Sequence, residues 1–337
     1  MNVRRVVIGF AKLALAVGVL AWLLDSGRIS FREFADVADG IVWIISAQVI
    51  FCTVQFMSAV RWKWLLAEAE IHCSLLESFK LTLGGLFFNQ VFFGATGGDI
   101  YRAVALKLDQ RGDRARAAVS VMLDRIIGLY ATILLVPVAA LANMSLASRY
   151  PIIQLVVGGM LVLLLLTPAL FLIGDKIASK WLQRDRKGRN NRISKFLNFV
   201  SDAYKPYRRK KMFALKILLF SILIQALIII TNIFLAFGLL GVDIQWGSFF
   251  LLIPIAHLAM AVPINPPGAL GTGEALYSFL LGMADISQGA AISLLQRATN
   301  IIWSILGWIA IVFSARAGPS VFPEAVTSLD PRRNNAK

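Results

Sequence analysis

The stretch Pro263-Ile264-Asn265-Pro266-Pro267-Gly268-Ala269-Leu270-Gly271-Thr272-Gly273-Glu274 closes an apolar run that extends from Phe249 to Val262. A second run, Leu75 to Phe93, closes in the same manner on Gly94-Ala95-Thr96-Gly97-Gly98-Asp99. Proline removes a backbone donor, and with paired glycines it ends a helix. Irregular backbone at membrane depth is tolerated only where protein or a watery cavity covers it. Both segments therefore read as re-entrant turns lining a cavity. The alternative is an ordinary glycine-proline turn near the surface, between two full spans.

The surrounding composition makes membrane depth the relevant frame. Of 337 residues, 58% are apolar and 16% charged, against about 25% charged in soluble domains. Apolar runs recur at Val6–Leu24, Ile41–Val60, Leu75–Phe93, Ala117–Leu141, Ile152–Ile173, Met212–Leu240, Phe249–Val262 and Ala290–Phe313. A span needs roughly 18 or more such residues to cross about 30 Å of hydrocarbon. An all-α polytopic membrane protein is the fold class this predicts. The first run follows Arg4 and Arg5 and resembles a signal peptide, but no small-residue cleavage site follows it. It reads as an uncleaved helix.

Charge decides how the runs cross. The net charge is +15, yet the basic residues sit between apolar spans and are not interleaved with aromatics. That pattern is positive-inside topology and excludes nucleic acid as a partner. The segment Gly174 to Lys211 holds 13 Lys and Arg against three Asp, so it belongs in the cytoplasm. Crossing at every run from a cytoplasmic N-terminus exports that segment together with Arg111, Arg114 and Arg116. If the third and seventh runs instead enter and return, 28 of the 34 Lys and Arg fall on or near the cytoplasmic side. The expectation is six full transmembrane helices, two re-entrant segments and both termini in the cytoplasm. The cytoplasmic segment contains amphipathic stretches such as residues 193–200 that suit an anionic leaflet, and residues 318–337 read as a disordered tail.

The two breaks also resemble each other. Gly94-Ala95-x-Gly97 before Gly98-Asp99 parallels Gly268-Ala269-x-Gly271 before Gly273-Glu274. Asp99 precedes Arg125 by 26 positions and Glu274 precedes Arg297 by 23. In the topology above the breaks enter from opposite sides, which makes residues 1–145 and 146–317 an inverted repeat, a recurring transporter plan.

Charged side chains inside apolar spans cost about 2.5–3.5 kcal/mol on insertion scales, so they mark functional sites by default. Asp124, Arg125 and Arg297 are the clearest, while Gln225, Asn232, His257, Gln296 and Asn300 are cheaper. Arg102, Arg125 and Arg297 can hold a phosphate by forked hydrogen bonds, with Asp99, Asp124 and Glu274 orienting them when the site is empty. The competing reading makes Asp124–Arg125 and Glu274–Arg297 internal ion pairs that fix helix packing. Asn89 and Asn265 precede the turns and suit capping of the broken backbone. The glycines Gly97, Gly98, Gly268 and Gly271 complete the candidate substrate-binding set, their backbone NH groups adding a weaker anion site. No nucleophile motif, phosphate-binding loop or metal-ligand spacing occurs. With two cysteines and two histidines, no metal or cofactor is expected, and no enzymatic activity.

With Asn89, Gly97-Gly98-Asp99, Tyr101-Arg102, Asp124-Arg125 and Pro267-Gly268-x-x-Gly271-x-x-Glu274 in place, the chain resembles the lysylphosphatidylglycerol synthase transmembrane, or flippase-like (UPF0104-type), family. The resemblance runs from Met1 to about Ala317. It implies an inner-membrane protein that moves a phospholipid, polyprenyl-phosphate or hopanoid-type lipid between leaflets. The expected partners are membrane lipids with an anionic or polyprenyl-phosphate head group, and enzymes of lipid or glycan biosynthesis are further candidates. In larger members a separate cytosolic domain transfers the amino acid, and no such domain is expected here. Two other readings stay open. One is an enzyme or accessory subunit of lipid-linked glycan or envelope-lipid synthesis, with Asp99 or Glu274 as acid or base. The other is a non-catalytic membrane scaffold.

Overall fold

A computed structural model describes residues 40–91, 96–106, 113–167, 211–240, 244–262 and 265–316. The run Val6–Leu24, the basic segment from Gly174 to Lys210 with its amphipathic stretch, the tail 318–337, and Gly94, Ala95, Pro263 and Ile264 lie outside the described residues. Within them every regular element is helical and no strand occurs.

The elements are α1 (Ile41–Glu68), α2 (Leu75–Val91), α3 (Gly97–Ala105), α4 (Asp113–Ala142), α5 (Met144–Arg149), α6 (Pro151–Thr167), α7 (Lys211–Leu240), α8 (Trp246–Met260), α9 (Thr272–Gly282) and α10 (Gly289–Arg316), with a 3₁₀ turn at Pro267–Ala269 before α9. Four of these, α1, α4, α7 and α10, are long and apolar enough to cross a membrane, while α6 and α8 are shorter apolar helices. The helices fall into two series of the same rhythm. The first has 28, 17, 9 and 30 residues (α1 to α4) and the second 30, 15, 11 and 28 (α7 to α10).

Local chemistry sets where helices stop. After α1, Glu70 takes a left-handed φ of 62° and the Ile71 amide bonds back to the Leu66 carbonyl at 3.0 Å. After α9, Asp285 has φ 61° and the Ile286 amide reaches the Leu281 carbonyl at 3.0 Å. Both are Schellman closures, in which one left-handed residue satisfies carbonyls the helix leaves open. The Ser74 hydroxyl accepts from the Glu77 amide at 3.1 Å and starts α2.

Between lipid-immersed helices apolar burial supplies little drive, so close backbone approach at small residues matters more. Gly40 before α1 packs on Gly238 of α7, Gly98 of α3 on Gly85 of α2, and Gly307 of α10 on Leu83 of α2. The outward faces are apolar, with Val49 62%, Leu165 78% and Leu219 58% exposed. Among the described residues the largest buried cluster joins α4, α6, α7, α8 and α9 through residues such as Val136, Ile153, Ile233, Phe249 and Leu281.

Contacts fix the helix directions. Gly40 meets Gly238 at one end of α1 and Arg61 meets Ser221 at the other, so α1 and α7 are antiparallel. Arg116 reaches the Ala69 carbonyl while Arg61 reaches Asp124, so α4 also opposes α1. Helix α2 opposes α1 through Ser78 on the Ala59 carbonyl and Phe79 on Phe56. It also opposes α10: Gly84 approaches Ile311 at one end, and Gln90 at the other shares the cavity edge with Arg297. Thus α4 and α7 run one way, and α1 and α10 run the other.

Candidate functional site

The two sequence breaks abut. Asp99, in the first turn of α3, pairs with Arg125 Nη1, and Arg125 Nη2 donates to the Ala261 carbonyl at the end of α8 (3.4 Å). On the other flank, Gly268 faces the Gln90 side chain of α2 so closely that a Cβ there would stand 2.3 Å from Gln90 Oε1. Arg125 lies about 18 Å along the roughly 45 Å of α4, well inside the helix rather than at its ends.

Each break is tied back by side chains. Asn89 Oδ1 accepts from the Gly98 amide at 2.7 Å, stapling the end of α2 to the start of α3. Asn265 Nδ2 donates to the Met260 and Val262 carbonyls, 2.9 Å each, and to Ala259 at 3.2 Å. These are carbonyls that the end of α8 leaves without helical partners. Gly268 has φ 58° and Gly271 φ 80°, both in the left-handed region. Glycine takes that conformation without a Cβ clash, and Ala269 between them is left-handed as well, at φ 53°. Glu274, fully buried, accepts from the Gly271 amide through Oε2 at 2.7 Å, so its carboxylate caps the helix it opens.

The charged residues form three separate groups. Arg297 donates Nε and Nη2 to Glu274 Oε1, Nη1 to the Gly268 carbonyl at 2.6 Å, and Nη2 also to the Ala269 carbonyl at 3.1 Å. Arg125 holds Asp99. Asp124 does not pair with its neighbour Arg125. Its Oδ1 accepts from Arg61 Nε at 2.7 Å and its Oδ2 from Arg102 Nη1 at 3.0 Å. Successive helix residues are about 100° apart, so Asp124 and Arg125 face different neighbours. Likewise Asp99 and Arg102, three apart on α3, serve two different groups.

One cavity of about 280 Å³ opens beside the second break. Its polar lining is Gln55, Gln90, His257, Ser293, Gln296 and Asn300 with Tyr277 and Arg297, and Phe51, Val54, Ile228 and Met260 supply the apolar wall. Against it runs a chain of hydrogen bonds. Asn232 Nδ2 donates to the Ile228 carbonyl at 2.9 Å, which leaves Oδ1 to accept from the Tyr277 hydroxyl at 2.9 Å. The hydroxyl has one proton, so His257 Nε2, 2.9 Å away, must donate to it. Of the sequence-predicted site residues, Gly268 and Arg297 line the cavity. Arg102, Arg125 and Arg297 thus hold three different carboxylates and do not gather around one point.

The sequence reading missed Arg61. It ends an apolar run, where a positive charge reads as a topology signal, yet it is 7% exposed and also donates to Ser221 Oγ at 2.9 Å. Trp62 was likewise unmarked. Its ring lies under the Arg102 guanidinium, 4.1 Å from centre to carbon, and its Nε1 donates to Ser120 Oγ at 3.1 Å. An Arg-Trp pair next to the single acid Asp124 in a facing span was the available signal.

The family described as the lysylphosphatidylglycerol synthase TM region matches residues 9–316. The UPF0104 membrane protein PH1989 of Pyrococcus horikoshii is 25% identical over 322 residues, covering 89% of this chain and 94% of the relative. No solved structure matches significantly. Eight apolar runs, broken helices at the quoted motifs and a family match over nearly the whole length agree: the chain is a multi-pass membrane protein belonging to the lysylphosphatidylglycerol synthase transmembrane-region family.

Proposed function

We propose that the protein is an inner-membrane lipid transporter that passes an anionic phospholipid or polyprenyl-phosphate head group between leaflets while the tails remain in the bilayer. The observation that carries this is the meeting of the two broken segments, Asp99–Arg125 against Ala261 and Gln90 against Gly268, beside a polar cavity. Broken helices and ion-paired side chains inside a membrane are costly unless protein or a watery cavity covers them, and charges retained there mark substrate pathways by default. At about 280 Å³ the cavity is below the ~300–1,000 Å³ of drug-sized pockets, which suits a head group and not acyl chains. The family description names a lysylated phosphatidylglycerol, which agrees with a lipid substrate.

The same proposal includes six crossings, two re-entrant hairpins and an inverted repeat. Helix directions support it. Because α4 opposes α1, α2 and α3 together must make no net crossing; because α10 opposes α7, the same holds for α8 and α9. Because α4 and α7 run the same way, an odd number of crossings must separate them, and α6 supplies one.

Purified protein reconstituted into vesicles with a fluorescent phosphatidylglycerol in both leaflets tests the proposal, using a membrane-impermeant quencher. Wild type is expected to expose inner-leaflet label well above protein-free vesicles, and Arg125→Ala to abolish most of that excess. Full translocation by an Arg125→Ala protein of normal elution volume would remove the site from the proposal, and no wild-type excess for any phospholipid or polyprenyl phosphate would remove the function.

A further inference from the structure

The interior arginines Arg102, Arg125 and Arg297 differ in which guanidinium edge is occupied. In Arg297, Nε and Nη2 close on the Glu274 carboxylate and Nη1 on a backbone carbonyl. In Arg125, Nη1 holds Asp99 and Nη2 a carbonyl. Arg102, 9% exposed, engages only Nη1, on Asp124 Oδ2 at 3.0 Å; its Nε and Nη2 are buried with no partner. Those two nitrogens share one edge of the planar group, and their N–H bonds form the fork that takes two oxygens of one oxyanion. Arg297 uses this edge on Glu274; in Arg102 the same edge is buried and has no hydrogen-bond acceptor.

Charge agrees with geometry. Arg61 and Arg102 together carry +2 against the −1 of Asp124, which leaves this buried group one negative charge short. Buried donors without acceptors and buried charge without a counter-charge are both unfavourable, and a single bound oxyanion relieves both. The fork is also held in place before any ligand arrives. The guanidinium lies over Trp62 at 4.1 Å, Trp62 is fixed by Ser120, and Arg61 is fixed by Ser221 at 2.9 Å. The Arg102 stem passes Gly85, where a Cβ would sit 3.4 Å from its Cδ.

We propose that Arg102, with Arg61 behind Asp124, is an oxyanion site for a phosphate group, with the Nε/Nη2 edge as its bidentate donor. That the phosphate belongs to a lipid rests on the transport reading above; the oxyanion site itself does not.

The test uses the full-length protein in a neutral maltoside detergent and follows its thermal midpoint against ligand concentration, since a ligand bound only by the folded state raises it. The probes are dihexanoyl phosphatidylglycerol, dihexanoylglycerol without phosphate, and inorganic phosphate. Dihexanoyl phosphatidylglycerol is expected to give a saturable rise and dihexanoylglycerol none. Arg102→Lys, which keeps the charge and loses the fork, is expected to weaken the apparent affinity about tenfold or more. Arg116→Gln, on the exposed pair with Glu70, is expected to change it less than about twofold. Equal binding by Arg102→Lys and wild type, or equal binding of the phosphate-free lipid, overturns the proposal. If Arg102→Lys does not fold, Asp124→Asn takes its place: removing the competing carboxylate should tighten binding, and unchanged or weaker binding overturns the site. Arg102-dependent binding of inorganic phosphate as tight as that of the lipid upholds the oxyanion site while removing support for lipid transport.

Discussion

Arg297 and Glu274, 23 positions apart, are joined by two hydrogen bonds of 2.8 and 2.6 Å onto one carboxylate oxygen, while the other oxygen holds the Gly271 amide. The pair therefore closes the second break from both sides, with α10 bound to the turn and the turn bound to α9. Asp99 and Arg125 occupy the corresponding places at the first break, 26 positions apart, but stay about a quarter exposed. The first pair is the more accessible to a substrate, and the second is the more structural.

Loss of Arg297 should accordingly weaken the fold. Arg297→Ala leaves Glu274 charged, buried and unpaired, and a broken buried pair costs about 3–5 kcal/mol. Arg297→Ala with Glu274→Gln should recover part of that loss. Thermal unfolding in detergent of both single variants and the double variant checks this, and additive losses would mean the two residues do not act as a unit.

Glycines at helix crossings should separate sharply from glycines in open space. At Gly307 a Cβ would lie 2.2 Å from the Leu83 carbonyl oxygen, so Gly307→Ala must push α10 off α2. A loss of about 1–3 kcal/mol is expected, as for overpacked cores. Gly159 in α6 has nothing within 4 Å, and Gly159→Ala should stabilise by up to about 1 kcal/mol through helix propensity alone. Denaturation curves of the two variants side by side read the contrast.

Topology can be read by cysteine accessibility in a background with Cys52 and Cys73 replaced. Thr96→Cys and Thr272→Cys, at the starts of α3 and α9, should react with an impermeant maleimide from opposite sides of oriented vesicles. Reaction of both from the same side contradicts the inverted arrangement.

Cys73, between α1 and α2, offers a pH test. Burial and the neighbouring Glu77 carboxylate push its thiol up to about 12, so at pH 8 almost none is thiolate. With Cys52 replaced, iodoacetamide should react slowly at pH 8, and the rate should keep rising beyond pH 9, where an ordinary thiol levels off. Glu77→Gln should accelerate the reaction at pH 8. Because the folded-state value lies above the unfolded one, this group's contribution to stability is complete below about pH 9 and is lost as pH rises toward 12.

What the sequence determined by itself follows from the cost of the bilayer. Apolar runs, helix-breaking turns and interior charges are conspicuous because lipid satisfies neither backbone nor charge, so the broken segments and Asp99, Asp124, Arg125, Glu274 and Arg297 could be named from their positions alone. Pairing was only half legible. The sequence suggested Glu274–Arg297 and Asp124–Arg125 as pairs; the first occurs, whereas Arg125 takes Asp99, the acid that opens the short helix beside its span. The partners of Asp124 were decided by tertiary structure. Arg61 comes from α1 and Arg102 from α3, and they converge only because α4 opposes α1 and turns Asp124 about 100° away from Arg125. Which arginine edge is left without an acceptor is decided there too, since it depends on where each carboxylate lies in space.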